Sequence, residues 1–396
     1  MKITTKPKVL ILADYYLPGF KAGGPIRTLA NILEALGDKF RFHIITRDRD
    51  LGDSIPYPNV ANGSVDVGKD RVFYVAPPEL TITNLQRLIC TSSPDIIYLN
   101  SFFSPYFSII PLLLLRFSKR SHIPVIIAPR GEFAPSALNI KGLKKRCYLF
   151  CAKLTGVYNS IVWQASCEHE EKDIRREFPN AHIVLAPDLP PLFPVLPACK
   201  KSTKMPGQLR IVFLSRISRM KNLLTALKIL LTINEGQICF DIWGPIEDEA
   251  YWSECQQAIT ELPDTIKATY CGVVQPDQVQ ATLARYDLFF LPTLGENFGH
   301  VILEALTAGT PVLISDRTQW QNLSKCRAGW DISLYEPQRF ADALRTAIAM
   351  DAQAWLVWCN GAQQYVATRY DLAQLKARTA QLFSNCLRQS PGRSIQ

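Results

Sequence analysis

Long hydrophobic runs are missing from this chain: the longest, Ile109 to Leu115, is about seven residues where a membrane-crossing helix needs ~20. The basic start, Met1 to Lys8, leads straight into a strand-like run, so neither a signal peptide nor a membrane span is expected. Histidine is scarce, five residues without a cluster, which argues against a metal centre. The eleven cysteines, spread from Cys90 to Cys386, form no Cys-x-x-Cys pair and no zinc-finger spacing. They read as reduced, mostly buried small hydrophobes of a cytoplasmic protein. The dinucleotide fingerprint Gly-x-Gly-x-x-Gly and the P-loop are both absent, and no repeat of solenoid period is found.

What is present is an ordinary globular composition: 396 residues with 47% hydrophobic, 10% aromatic and 20% charged side chains. That length accommodates two domains of roughly 200 residues, and the composition excludes disorder and collagen. A net charge of +9 favours polyanionic partners, whether nucleic acid, anionic lipid or phosphorylated small molecules. No nucleic-acid recognition motif accompanies the charge, so nucleic acid is set aside.

Short apolar runs at Lys8 to Ala13, Phe42 to Thr46, Val72 to Val75, Ile96 to Leu99, Val125 to Ala128, Ile161 to Gln164 and Ile183 to Ala186 read as buried parallel strands. Helical or turn-rich stretches separate most of them; one, Ile26 to Leu36, carries apolar residues at helical spacing and stops at Gly37. A proline-rich, basic linker follows, and the grammar restarts at Arg210 to Leu214, Cys239 to Trp243, Thr269 to Cys271, Leu288 to Leu291 and Val312 to Ile314. The expected organisation is an N-terminal Rossmann-like domain (1–190), a linker (191–208), a C-terminal Rossmann-like domain (209–350) and closing helices (351–396). The two α/β domains would face a central cleft. The helical period of the last segment is interrupted at Gly361 and at Arg369-Tyr370-Asp371, and a crossing back to the N-terminal domain is open.

The most informative segment runs from Leu291 to Asp316. A strand ends, a glycine-bearing loop follows, and a helix starts near Phe298 or Gly299, pointing N–H groups and a positive dipole end at an anion. Glu296 lies in the loop and Glu304 eight residues on, on a helix face where an exposed carboxylate could accept hydrogen bonds from vicinal hydroxyls. Taken singly, the two read as a solvated helix residue and a first-turn charge. Together with Leu-Pro-Thr before them and Ala-Gly-Thr-Pro-Val-Leu-Ile-Ser-Asp after them, they resemble the Glu-x7-Glu signature of the retaining glycosyltransferase family 4, group 1 glycosyltransferases of GT-B fold. Ser215-Arg216 with Lys221-Asn222, the run Asp241 to Pro245, and Cys271-Gly272 are similar to further parts of that family's pattern.

A nucleotide-sugar donor departs as a nucleoside diphosphate, so charge building on phosphate oxygens must be stabilised. Arg216 can bind phosphate bidentately and Lys221 adds a second cation from the start of the next helix; otherwise they are two surface cations beside a helix. In the N-terminal half, Gly23 and Gly24 permit close backbone approach and resemble the family's loop that meets the donor diphosphate or the acceptor; a plain strand-to-helix connection is the alternative. Asp48-Arg49-Asp50 formally fits a metal-holding Asp-x-Asp, but its alternating charges read as a solvated loop, and no metal is expected. Many family members carry a histidine where this chain has Arg130, in Ala128-Pro129-Arg130-Gly131-Glu132, so Arg130 is taken to contact a sugar hydroxyl or a phosphate, and Glu132 the acceptor.

The resemblance implies Arg216, Lys221, Glu296 and Arg130 as catalytic residues, and Gly23, Gly24, Glu296, Asn297, Phe298, Gly299 and Glu304 as donor-binding ones. It implies a UDP- or GDP-sugar donor, no cofactor, and retention by front-face attack in which the leaving phosphate takes the acceptor's proton. A saccharide or polyprenyl-linked acceptor in cell-surface polysaccharide biosynthesis follows. The competing readings are a nucleotide-sugar 2-epimerase and a non-catalytic nucleotide-sugar binder. The stretch Lys141 to Lys153 combines five cations with Leu143, Tyr148, Leu149 and Phe150. With Phe102, Phe103, Tyr106, Phe107 and Ile109 to Leu115 near in sequence, it suggests a peripheral contact with the cytoplasmic face of the inner membrane; a solvated helix packed by its apolar side is the alternative.

Overall fold

The computed structural model describes residues 6–58, 60, 63–67, 70–118, 122–139, 142–191, 204–369 and 371–388. Lys141, Tyr370, most of the linker (192–203) and the tail from 389 lie outside them. The chain divides into two units, Met1–Leu192 with Leu372–Gln396, and Phe193–Asp371.

The first unit runs β1 (Lys8–Leu12), α1 (Gly24–Leu36), β2 (Arg41–Arg47), β3 (Gly63–Val67), β4 (Asp70–Val75), α2 (Ile82–Ser92), β5 (Ile96–Leu99), α3 (Ile110–Arg116), β6 (Val125–Ile127), α4 (Pro135–Asn139), α5 (Gly142–Thr155), β7 (Val162–Ala165), α6 (Glu168–Glu177) and β8 (His182–Leu185). Its eight-stranded sheet has the order β3-β4-β2-β1-β5-β6-β7-β8. All pairings are parallel except the polar edge strand β3, which returns antiparallel on β4. Val9 to Leu12 are wholly buried because helices cover both sheet faces, which is why β1 reads as an unbroken apolar run.

The second unit runs β9 (Gln208–Leu214), α7 (Leu223–Leu230), β10 (Gln237–Trp243), α8 (Glu249–Thr260), β11 (Ile266–Gly272), α9 (Val279–Leu283), β12 (Leu288–Leu291), α10 (His300–Thr307), β13 (Val312–Ser315), β14 (Gly329–Ile332), α11 (Pro337–Ala349) and α12 (Ala352–Arg369). Its sheet order is β11-β10-β9-β12-β13-β14. A last helix, α13 (Leu372–Arg388), belongs to the first unit. There the Phe383 ring packs at 5.4 Å from Phe40 and 5.6 Å from Tyr98.

In each sheet the winding reverses once: between β1 and β5 in the first, between β9 and β12 in the second. Open parallel sheets bind ligands outside the carboxyl ends of the strands at such a reversal, because the two following loops diverge and leave a crevice. The loops after β1, β5, β9 and β12 are therefore the places to look.

Three expectations are corrected. Gly361 does not break a helix: α12 is continuous, and a Cβ there would lie 2.4 Å from the Arg327 carbonyl oxygen, so glycine serves close packing. Of the ten described cysteines only Cys255, Cys359 and Cys386 are buried; Cys147 and Cys151 face outward from α5 because that helix packs through Leu149 and Ala152. Phe102, Phe107, Leu112 and Leu115 are core rather than surface, Phe102 lying amid rings that include Phe133, Tyr158 and Trp163.

Candidate functional site

In the second unit the loop after β9 carries Arg216 and Lys221, and the loop after β12 carries Glu296. The two loops are tied together: Leu294 N–H and Thr293 Oγ1 both donate to the Met220 carbonyl (2.9 and 3.0 Å), and Asn222 Nδ2 donates to Pro292 O (2.9 Å). Asn222 adopts a left-handed backbone (φ 62°) to open α7. This cross-bracing brings the Lys221 ammonium into hydrogen-bonded contact with the Glu296 carboxylate, both side chains nearly buried. The pair thus meets at the sheet's reversal.

Arg216 stands at the same strand ends, but its guanidinium donates to Glu247 Oε2 at 2.8 Å. Glu247 follows β10, and nothing in the sequence reading singled it out. Its loop lies close because Gly244 (φ 141°) has no side chain: a Cβ there would be 1.9 Å from the Ser215 carbonyl oxygen. Each of the two cations therefore has a carboxylate partner.

The Glu296-Asn297-Phe298-Gly299 turn is fixed from behind. The Phe298 carbonyl accepts from Trp320 Nε1 (2.7 Å) and Gln319 Nε2 (3.1 Å), and Gly299 (φ 78°) N-caps α10, whose first N–H groups carry the positive end of the helix dipole. Glu304 departs from expectation. It is 5% exposed within α10, six of whose eight residues are buried, so it is no solvent-facing carboxylate.

In the first unit the loops after β1, β5 and β6 border an open pocket of about 250 Å³, lined among others by Asp14, Tyr15, Asn100, Ser101, Arg130 and Glu132. Gly23 (φ 75°) N-caps α1 beside it. The glycine loop's amides are largely engaged internally: Phe20 and Lys21 N–H donate to Asp50 Oδ2 (2.7 and 3.0 Å), and Gly23 N–H to Phe20 O (2.9 Å). Asp50 is thus a buried loop anchor rather than a solvated charge, and Asp48 receives the Arg49 guanidinium at 2.8 Å.

Arg130 is placed differently from the open, ligand-seeking cation expected. It sits in left-handed backbone (φ 56°) and donates to Asn100 Oδ1 (2.7 Å), Asp188 Oδ1 (2.5 Å) and the Tyr98 hydroxyl (2.5 Å). Burial opposes its charge, but Asp188, Tyr98 and Glu170 outweigh that and raise its pKa. Asp188 in turn accepts from Thr28 Oγ1 (3.2 Å), which joins α1 to the chain leaving β8. Glu132 and Glu170 brace the same loop: Glu132 accepts from Ser101 Oγ and the amides of Phe102 and Phe103, and Glu170 accepts from Gly131 N–H and Ser166. Burial pushes both carboxyl pKa values up. Glu132 is therefore occupied with the loop after β5.

The class is now defined: a protein of two doubly wound α/β units, one of which brings a lysine–glutamate pair to the strand ends at its reversal. Residues 198–354 match the family model described as "Glycosyl transferases group 1". The fold is GT-B. Anabaena HepE, solved with UDP and glucose, is similar with a TM-score of 0.70 at 16% identity, over 96% of this chain and 100% of that one. Sucrose-phosphate synthase of Thermosynechococcus elongatus gives 0.72 at 16% identity, over 97% and 100%. WaaG, a glycosyltransferase involved in lipopolysaccharide biosynthesis, gives 0.65 at 14% identity, over 95% and 99%. A curated relative, the sulfoquinovosyl transferase SQD2 of Arabidopsis thaliana, is 28% identical over 103 residues; the match spans 26% of this chain and 18% of that protein.

Proposed function

We propose that the chain is a retaining glycosyltransferase of family 4, which moves a sugar from a UDP- or GDP-sugar to a saccharide or lipid-linked saccharide in cell-surface polysaccharide biosynthesis. The observation that carries this reading is the Lys221–Glu296 contact at the reversal of the second sheet. There a diphosphate would find Lys221, Arg216 and the α10 N-terminus, while Glu296, released from the lysine, accepts hydrogen bonds from the sugar's hydroxyls. Positive charge fixed beforehand at the departing phosphate lowers the barrier without a side-chain base. In the retaining step the acceptor oxygen bonds to the anomeric carbon as the bond to phosphate breaks, and the leaving phosphate oxygen takes the acceptor's proton. The UDP and glucose held by HepE, and the involvement of WaaG in lipopolysaccharide biosynthesis, support the donor class and the setting.

The test is incubation with a panel of nucleotide sugars and saccharide acceptors. Nucleoside diphosphate should appear only when an acceptor is present, and Lys221→Ala should cut turnover by about 100-fold, the scale of removing one donor to a developing oxyanion. Isomerised sugar, or an unchanged rate in that variant, would refute the assignment.

A peripheral contact with the cytoplasmic face of the inner membrane is part of the same proposal. Leu143, Phe150 and Leu154 are 80%, 69% and 78% exposed, and their spacing along α5 forms one stripe, flanked by exposed Lys144 and Arg146. Lys145 and Lys153 contribute less, since Lys145 donates to Ala137 O and Lys153 pairs with Glu177. The intact chain should float with vesicles containing anionic lipid, and the double variant Lys144→Ala with Arg146→Ala should float less; equal flotation of the two would refute the contact.

A further inference from the structure

The support of the Glu296 turn extends beyond Trp320. Gln319, Trp320 and Gln321 are consecutive residues of the connection between β13 and β14, and each is gripped from the last turn of α12, where Tyr365 and Arg369 share one helix face. Arg369 Nη2 donates to the Gln319 carbonyl at 2.7 Å, and the Tyr365 hydroxyl donates to the Gln321 carbonyl at 2.8 Å. Between these bonds lies the wholly buried Trp320 indole, with the Arg369 guanidinium 5.8 Å from its ring centre and the Tyr365 ring at 6.3 Å. Arg369 also donates to the Tyr365 hydroxyl at 3.0 Å, so the two grips act as one.

On its other side the same segment holds the turn at both ends. Glu296 N–H donates to the Arg317 carbonyl at 3.1 Å, and the Phe298 carbonyl accepts from Trp320 Nε1 and Gln319 Nε2. A Cβ on Gly299 would lie 3.0 Å from Trp320 Nε1, so glycine leaves the indole room to reach that carbonyl. Arg369 itself is exposed, and among the described residues no carboxylate pairs with it; its two hydrogen bonds go to neutral oxygens. Removing it strands no buried charge, so the loss should be felt locally. We infer that Arg369 is a positioning residue for the transfer: through Gln319 and Trp320 it fixes the Phe298 carbonyl, and with it the place where the Glu296 carboxylate meets the sugar. The inference rests on the transferase reading above and extends the donor site's support to the last turn of α12.

The test compares the intact native chain with Arg369→Ala, with Tyr365→Phe and, as a control, with Arg345→Ala, which removes an exposed arginine of α11. Hydrogen exchange read by mass spectrometry should show residues 294–303 exchanging about fivefold faster or more in the first two variants, as loss of one hydrogen bond would, and at the native rate in the control. In Arg369→Ala the strands β9 and β10, the first unit and the urea midpoint should stay native. With UDP-glucose and GDP-mannose as donors, kcat of Arg369→Ala should fall by about tenfold or more while the donor KM stays within about twofold, because Arg216 and Lys221 still hold the diphosphate and only the sugar is misplaced. Arg369→Lys, which can remake the bond to Gln319, should recover part of both losses. Native exchange of residues 294–303, acceleration spread evenly over the second unit, or a raised KM at constant kcat would overturn the inference. A native chain that turns over no nucleotide sugar would refute the transferase reading, and the exchange of residues 294–303 would then decide alone whether Arg369 holds the turn.

Discussion

Arg130 holds a left-handed backbone that costs a non-glycine residue roughly 1 kcal/mol, and in it three side-chain nitrogens find acceptors. The residue could be singled out from Pro-Arg-Gly at a strand end, but its role could not be read. Tyr98, Asn100 and Asp188 are 32, 30 and 58 positions away in sequence, and only the fold brings them together. The hydrogen bonds of Arg130 tie the loop after β6 to Tyr98, Asn100 and Asp188. Replacing it by alanine leaves Asp188, 2% exposed, as a buried charge without its cation. Such a loss costs about 3–5 kcal/mol, so Arg130→Ala should unfold at clearly lower urea concentration. A native urea midpoint combined with a lost turnover would restore a direct role on the sugar.

At the scale of elements, the strands were legible because buried parallel strands are unbroken apolar runs, and the helices between them because their period is different. Two strands were not legible: β3, Gly-Ser-Val-Asp-Val, is a polar edge of the first sheet, and β14, Gly-Trp-Asp-Ile, puts a charge into an edge strand of the second. The site motif was legible in the loop after β12, since Glu296, Phe298 and Gly299 lie within four residues. Glu247 was not, since its partner Arg216 is 31 residues away and the contact depends on a backbone crossing at Gly244. That crossing can be tested. Gly244→Ala drives a Cβ into the Ser215 carbonyl and requires a positive φ that alanine resists, so the loops after β9 and β10 must separate. The expected cost is more than about 1 kcal/mol in chemical denaturation, with weaker UDP binding as Arg216 loses Glu247. Native UDP affinity in this variant would show that the crossing does not support the site.

At the scale of the whole chain, the segment after α12 does not stay with the unit that precedes it. α13 returns to the first unit, where Phe383 is wholly buried against Phe40, Phe42 and Tyr98, so the first sheet's core is completed by residues that follow the whole second unit in sequence. The helical period and the break at 369–371 were visible in sequence. The destination stayed open, with a crossing back to the N-terminal domain as one option, because an apolar helix face carries no record of which sheet it covers. The consequence is that the two units differ in what α13 does for them. Phe383→Ala removes a ring from a packed core, which costs about 3–5 kcal/mol, and the loss should fall on the first unit alone. Native-state hydrogen exchange reads this directly: amides of β1, β2 and β5 should exchange faster by the factor that free energy implies, while those of β9, β10 and β12 keep their protection. Equal acceleration in both sheets would mean that the units unfold together; no acceleration in the first would mean that α13 contributes little to its core.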